Sequence, residues 1–243
     1  SKTDPSTVTQ FEEISDPTSI TVTKTGTKTE YIYRYAFTVV TEYGETGYVA
    51  SNNEWGPAQL DANNYFTIST PRNNNPKVIG YNLYRSINGS DLYYLAFIPQ
   101  PSSGDPSFKD DGTFEQSTIY VAPDFNTTGG VKGKYYATFK ETLFVAGVPE
   151  QPAYLFYTGT GVNYESFSPD GNGGWVRINQ GDGTKITAIK GFDVYLLIIK
   201  ERSIYRFDFA QGSGAPQVYI VEPLYGSPYS NSVEKFQKDL IMI

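Results

Sequence analysis

The 243-residue chain has no cysteine, no histidine, one methionine and two tryptophans. Without cysteine there is no disulfide framework, no thiolate metal site and no cysteine nucleophile. That absence fits assembly in a reducing cytosol. Without histidine the commonest general base and the commonest metal ligand are gone. Ser-His-Asp triads, Cys-His dyads and histidine-based zinc sites are therefore excluded within the chain, and carboxylate-only chemistry is what remains. Long apolar runs are lacking as well. Tyr195-Leu196-Leu197-Ile198-Ile199 is of strand length and far short of a bilayer span, so no membrane segment is expected. Nor is there a dense basic run, Lys132-Gly133-Lys134 being the nearest approach. With 19 Lys and Arg against 26 Asp and Glu the net charge is −7. Nonspecific nucleic-acid binding needs several phosphate-neutralising cations on one surface and is not expected here.

What the chain has in plenty is strand formers and turn formers. It holds 21 Tyr and 15 Phe among many Val, Ile and Thr, side chains that suit a pleated, half-buried surface. Its 23 Gly and 15 Pro, with abundant Asn, Asp and Ser, punctuate the sequence at short intervals. No segment of helical length keeps a 3.6-residue period. The best, Ser232-Val233-Glu234-Lys235-Phe236, is too short to nucleate alone. The expectation is an all-β chain of two ordinary-sized domains, residues 14–122 and 133–243. The start, Ser1-Lys2-Thr3-Asp4, has no apolar signal region, and the last residues, Asp239-Leu240-Ile241-Met242-Ile243, read as a buried strand. A fragment of a longer chain is expected.

In residues 14–122 the longest strand pattern carries Tyr31, Tyr33, Tyr35, Phe37 and Val39 on one phase of its alternation, which should face the core. Asn88-Gly89 separates two further apolar runs. Both residues of such a turn need positive φ, which predicts a hairpin. Roughly seven strands in roughly 105 residues predict a sandwich. The run Val78-Ile79-Gly80-Tyr81-Asn82-Leu83-Tyr84-Arg85 resembles the central strand of fibronectin type III domains, where an apolar-Gly-Tyr-x-apolar-Tyr-Arg pattern recurs. That resemblance implies a fold and no function.

Residues 133–243 carry a weak internal repeat. The stretch from Tyr135 to Ala146 parallels that from Ile186 to Ile199, and Ser232 onward begins a third copy. The period of about 45 to 55 residues, with up to four strands in each, is that of β-propeller blades, which need neighbours to bury their faces. The residues Leu143-Phe144-Val145-Ala146-Gly147, then Tyr154-Leu155-Phe156-Tyr157-Thr158, then Gly181-Asp182-Gly183 and Lys200-Glu201 before Ser203-Ile204-Tyr205, resemble the propeller-bearing hub, nozzle and adaptor proteins of tailed-bacteriophage necks and tails. The resemblance implies a structural virion protein, a neck or tail connector assembled as a ring that holds or guides passing DNA. Its implied partners are copies of itself and other virion proteins such as portal, adaptor or tail components. The implied location is the virion, assembled in the bacterial cytoplasm. It contributes no catalytic residue.

Several residue groups invite a sharper reading. Asp110-Asp111-Gly112 and Asp170-Gly171-Asn172 are acidic turns of the kind that sometimes bind Ca²⁺, but neither has EF-hand spacing and both suit ordinary Asx capping. Gly181-Asp182-Gly183-Thr184-Lys185 has a passing likeness to a phosphate loop, yet it leads into a strand and not a helix. Glu12 with Glu13, or Glu150 with Glu165, are carboxylate pairs in principle fit for glycoside hydrolysis. Trp55, Trp175 and Tyr229 could stack on sugars, or serve as core or interface residues. Asn88-Gly89-Ser90 and Asn126-Thr127-Thr128 match the glycosylation sequon. No catalytic, cofactor-binding or metal-ligating residue is expected, and no enzyme. The alternative is a carbohydrate- or receptor-binding module of a tail fibre or adhesin.

Overall fold

A computed structural model describes residues 12–118, 120–161, 164–168, 172–192, 194–209, 216–236 and 239–242. The described residues form strands, turns and short 3-10 segments, without an α-helix. The chain divides into two compact units that meet between Gly130 and Val131.

The first unit is a sandwich. Strands β1 (Thr21–Thr25), β5 (Tyr65–Ser69) and β8 (Ser107–Asp110) form one antiparallel sheet in that order. Strands β3 (Val49–Ala50), β2 (Tyr31–Thr41), β6 (Val78–Ile87) and β7 (Tyr93–Pro99) form the other, with β4 (Glu54–Gly56) also paired to β2. The fibronectin-like strand β6 is central, lying between β2 and β7. The phase expected to face the core does so: Tyr33, Tyr35, Phe37 and Val39 pack with Phe66, Ile68, Tyr81 and Leu83, while Tyr31 at the strand end stays partly exposed. Asn88 and Gly89 take φ of 52° and 80°, as the hairpin reading requires.

From Ala36 onward the opposite phase of β2 is buried too, for a reason the alternation does not carry. Residues 120–123 run beside the edge of β7 and over the outer face of the five-stranded sheet. The Tyr94 amide donates to the Tyr120 carbonyl, Ala122 to Leu92, and Tyr48 to Pro123. Ala36, Tyr84, Leu92 and Ala122 form a small apolar cluster beneath that cover.

Two polar networks cross the sandwich. Arg85, the last residue of the fibronectin-like motif, points inward and donates to both carboxylate oxygens of Asp110 at 2.9 Å, and the Tyr35 hydroxyl donates to Asp110 at 2.8 Å. Burial, reinforced by Asp110, pushes the Tyr35 phenol far above its ordinary pKa. On the other face the buried Glu45 carboxylate accepts from the Thr38 hydroxyl, the Asn82 amide and the Tyr84 hydroxyl at 2.7 to 2.9 Å.

The second unit is a stack of meanders. Strands β9 (Tyr135–Phe139), β10 (Thr142–Val148), β11 (Gln151–Tyr157) and β12 (Gly174–Arg177) form one four-stranded sheet. Strands β13 (Ile186–Phe192), β14 (Tyr195–Lys200), β15 (Ile204–Phe209) and β16 (Pro216–Glu222) form the next, and β17 (Val233–Phe236) with β18 (Asp239–Met242) begins another. Every pairing is antiparallel between sequence neighbours. Phe144, Leu155 and Tyr157 of the first sheet meet Ile189, Leu196, Ile198 and Phe207 of the second. The far face of the second sheet, through Leu197, Ile199 and Ile204, receives Val233 from the third. Each sheet thus uses its neighbour as its core, which is how propeller blades are stabilised.

The repeat is visible at a single position of the backbone ladder. Phe139, Phe192 and Phe236 each end the first strand of a meander, and each pairs with the residue three positions on. The first strands of successive sheets also approach closely. A Cβ at Gly191 would stand 3.3 Å from the Phe139 ring.

Candidate interaction surface

The residue groups singled out in the sequence mostly serve the fold. Asp110 is the buried core partner of Arg85. Asp111 accepts from the Thr113 amide and hydroxyl and pairs with Lys109 at 3.2 Å. The Thr113 hydroxyl, with Lys109 beside it, holds the Asp111 carboxyl below its ordinary range. Asp170 and Gly171 lie outside the described residues. Among the described residues no group of three or more acidic side chains is placed to hold a metal ion, and no helix is long and apolar enough to cross a membrane.

The Gly181-Asp182-Gly183 turn joins the two four-stranded sheets. Gln180–Asp182 is a single 3-10 turn, flanked by Asn179 and Gly183 in left-handed conformations with φ of 43° and 67°. Its centre is occupied by Lys200 of β14, whose ammonium is fully buried. Lys200 Nζ donates to the Ile178 carbonyl at 2.8 Å, the Asn179 carbonyl at 3.1 Å and the Asp182 carboxylate at 2.7 Å, using all three of its protons. Burial opposes ionisation of Asp182, but hydrogen bonds from Lys200 and Thr184 outweigh it and hold the carboxyl below its ordinary range. An anionic side chain therefore sits where a phosphate loop would offer backbone amides to an anion.

The carboxylates of the two pairs have the following neighbours. Glu12 binds Lys77 at 3.1 Å and accepts from Asn75, while Glu13 packs against Gly129. Glu150 lines a cleft of about 450 Å³ with Tyr154, Lys185 and Glu201, and Glu165 is not among its walls. Lys185 binds Glu201 at 3.4 Å across that cleft. Asn126 spends its amide nitrogen on the Ile14 carbonyl and Asp16, and its oxygen on Thr128. The Asn88 side chain accepts from the Ile32 amide. Trp55 lies on β4 of the first unit; Trp175 lies on β12 and Tyr229 in the loop after β16, both in the second.

What stands out is where the exposed apolar residues gather. Among the described residues, six of the thirteen large exposed hydrophobics fall within eleven positions: Tyr219, Ile220, Val221, Leu224, Tyr225 and Tyr229. They occupy the last strand of the second sheet and the loop that follows it. Isolated exposed hydrophobics are ordinary, whereas their concentration along one strand and its loop makes this segment the candidate interaction surface. The loop itself is anchored. Gly226 passes so close to the Lys200–Ser203 turn that a Cβ there would fall 2.1 Å from the Lys200 carbonyl oxygen, and the Thr187 hydroxyl donates to the Ser227 carbonyl at 2.6 Å. Leu224 and Tyr225 are therefore presented outward from a fixed backbone. The period-2 pattern alone did not single out this strand, since every strand here is rich in apolar residues. Its lack of charge was the available signal.

No family model, no curated protein and no solved structure matches the chain.

Proposed function

We propose that the protein is a non-catalytic structural component of a tailed-phage particle, sited in the neck or tail and joined to copies of itself and to other virion proteins. The observation that supports this reading best is the exposed apolar run from Tyr219 to Tyr229 on a rigid stack of β-meanders. Such a surface is suited to a protein partner and unsuited to a dilute solvated life. The acidic groups nearest to a chemical arrangement are tied to lysines or to backbone amides. The net charge of −7 suits a component past which DNA moves, because a like-charged wall does not hold it.

The test is to raise antibodies against the full chain and label purified tailed particles for electron microscopy. Labelling confined to the neck or tail is the expected result. Absence from purified particles, or recovery as a secreted monomer, would sink the proposal. A glycan array run on the same protein separates it from a receptor-binding module, and specific sugar binding there would count against a connector.

A further inference from the structure

We propose that the outer edge of β16 is a self-association surface, where β16 of a second copy pairs with it antiparallel about a two-fold axis. The inference stands on the chemistry of that edge, whether or not the chain belongs to a phage particle.

Among the described residues β16 has β15 as its one strand partner, so the amides and carbonyls of its other edge face outward. Natural sheets guard such edges with charges, short strands or cover. Most of the other outer edges here follow that rule. β1 carries Lys24, β8 carries Lys109, β12 carries Arg177 and β13 carries Lys190, while β9, though uncharged, is only five residues long. The edge of β7 is covered, with Tyr93 bridged to Val121 and the Tyr94 amide donating to the Tyr120 carbonyl. In β16 the sequence is Pro216-Gln217-Val218-Tyr219-Ile220-Val221-Glu222, with one charge at its very end. A strand of this composition, left open, is a template for another strand.

Charge and side-chain direction both favour the strand's own copy as that partner. In a register centred on Tyr219, Val218 faces Ile220, Gln217 faces Val221, and Pro216 faces Glu222. Glu222 meets its own copy only in a register centred on itself, so neighbouring registers also oppose no like charges. For a chain of net charge −7 this is a place where two copies approach without local repulsion. Ile220 and Val221 are each more than half exposed and, being adjacent, point to opposite faces of the strand. Pairing would therefore give apolar cover to both sides of the seam, with Leu224 and Tyr225 at its flank. A two-fold contact also closes on itself, using up the edge in one step and preventing open-ended sheet growth.

Sedimentation of the full chain should show monomer passing to dimer as concentration rises from about 2 to about 200 µM. Val221→Lys and Ile220→Lys, one on each face of the strand, should each weaken the dimer by about tenfold or more while keeping the far-UV dichroism of the parent. A dimer that persists in both variants overturns the proposal, as does a parent chain that stays monomeric throughout. Hydrogen exchange on the parent gives a test that needs no variant. Amides 217–221 should exchange more slowly at the higher concentration, and equal exchange at both would overturn the pairing just as plainly.

Discussion

The two units solve the same problem in different ways. The sandwich closes on itself: its sheets share one aromatic core, its outer face is covered by residues 120–123, and buried polar networks tie it together. Among the described residues the meander stack has no such closure. Its sheets are apolar on both faces and each finishes its neighbour, while β16 is left with an open edge charged only at Glu222. A closed unit can use specific polar partners as a lock, because every member of the network lies inside it. A stacked repeat uses generic apolar faces, because the same face must fit whichever sheet comes next. By accident of composition the two can be followed separately. Trp55 lies in the first unit and Trp175 in the second, so Trp55→Phe and Trp175→Phe backgrounds each leave one reporter.

The largest expected effect breaks the lock of the closed unit. Asp110→Ala removes the acceptor for both Arg85 and the Tyr35 hydroxyl while leaving the guanidinium buried, and should destabilise the sandwich by about 3–5 kcal/mol. Urea denaturation read through Trp55 should show it, and the Trp175 transition should move far less. Replacing the set together, Arg85→Met with Asp110→Leu and Tyr35→Phe, should cost much less than Asp110→Ala alone. If the triple variant is as unstable as the single one, the network contributes more than the avoidance of an orphaned charge.

The counterpart in the stack is Lys200, whose ammonium fixes the turn between the two four-stranded sheets. Lys200→Met keeps the aliphatic bulk and strands two carbonyls and a carboxylate, for an expected loss of about 2–3 kcal/mol read through Trp175. The loss should be smaller than for Asp110, because Asp182 keeps some access to water and can recover solvation. An effect as large as that of Asp110→Ala would mean that the stack depends on a polar lock after all.

These two sites show what sequence could and could not disclose. The all-β class, the core phase of β2, the positive-φ turn at Asn88-Gly89 and the repeat were all legible, since each follows from local periodicity or backbone preference. Arg85 was legible as part of a motif but not as a buried ion, because its partner Asp110 sits 25 positions away in a run that reads as an acidic turn. The Gly181–Lys185 segment drew notice for its glycines, and the residue that fixes it, Lys200, lies in the next hairpin. Long-range polar pairing leaves no periodic trace. The exposure of β16 was hidden for the opposite reason, being a property of what does not pack against it.

A milder test uses pH. The folded Asp182 carboxyl is held below its ordinary range, so near that ordinary value the folded state binds fewer protons than the unfolded one. The stability it contributes is full above about pH 5 and is lost as pH falls through about 4 and below. Asp182→Asn should therefore lower the Trp175 transition at neutral pH, and the gap between variant and parent should narrow as pH falls below about 4. A gap that stays constant across that range would show that the carboxylate charge is not what matters.

The smallest expected effect concerns one turn present in both units. Asn88-Gly89 and Lys140-Glu141 both have left-handed φ at their two positions, 52° and 80° in the first and 47° and 62° in the second. The first pair is built for that geometry and the second is not, since a side chain in the left-handed region strains against its own backbone. Glu141→Gly should therefore stabilise the stack by somewhat under about 1 kcal/mol, the cost of the left-handed conformation partly offset by the greater freedom of glycine in the unfolded chain. Lys140 is best left alone, because its ammonium lies 5.2 Å from the Phe139 ring centre and would be lost with the side chain. The opposite exchange, Gly89→Glu, should destabilise the sandwich by a similar amount, since nothing lies within 4 Å of a Cβ there and the same two terms act in reverse. Equal and opposite shifts in the Trp175 and Trp55 transitions would place the cost in the backbone alone. A loss on Glu141→Gly would mean that the glutamate makes a contact in solution that outweighs the strain of its turn.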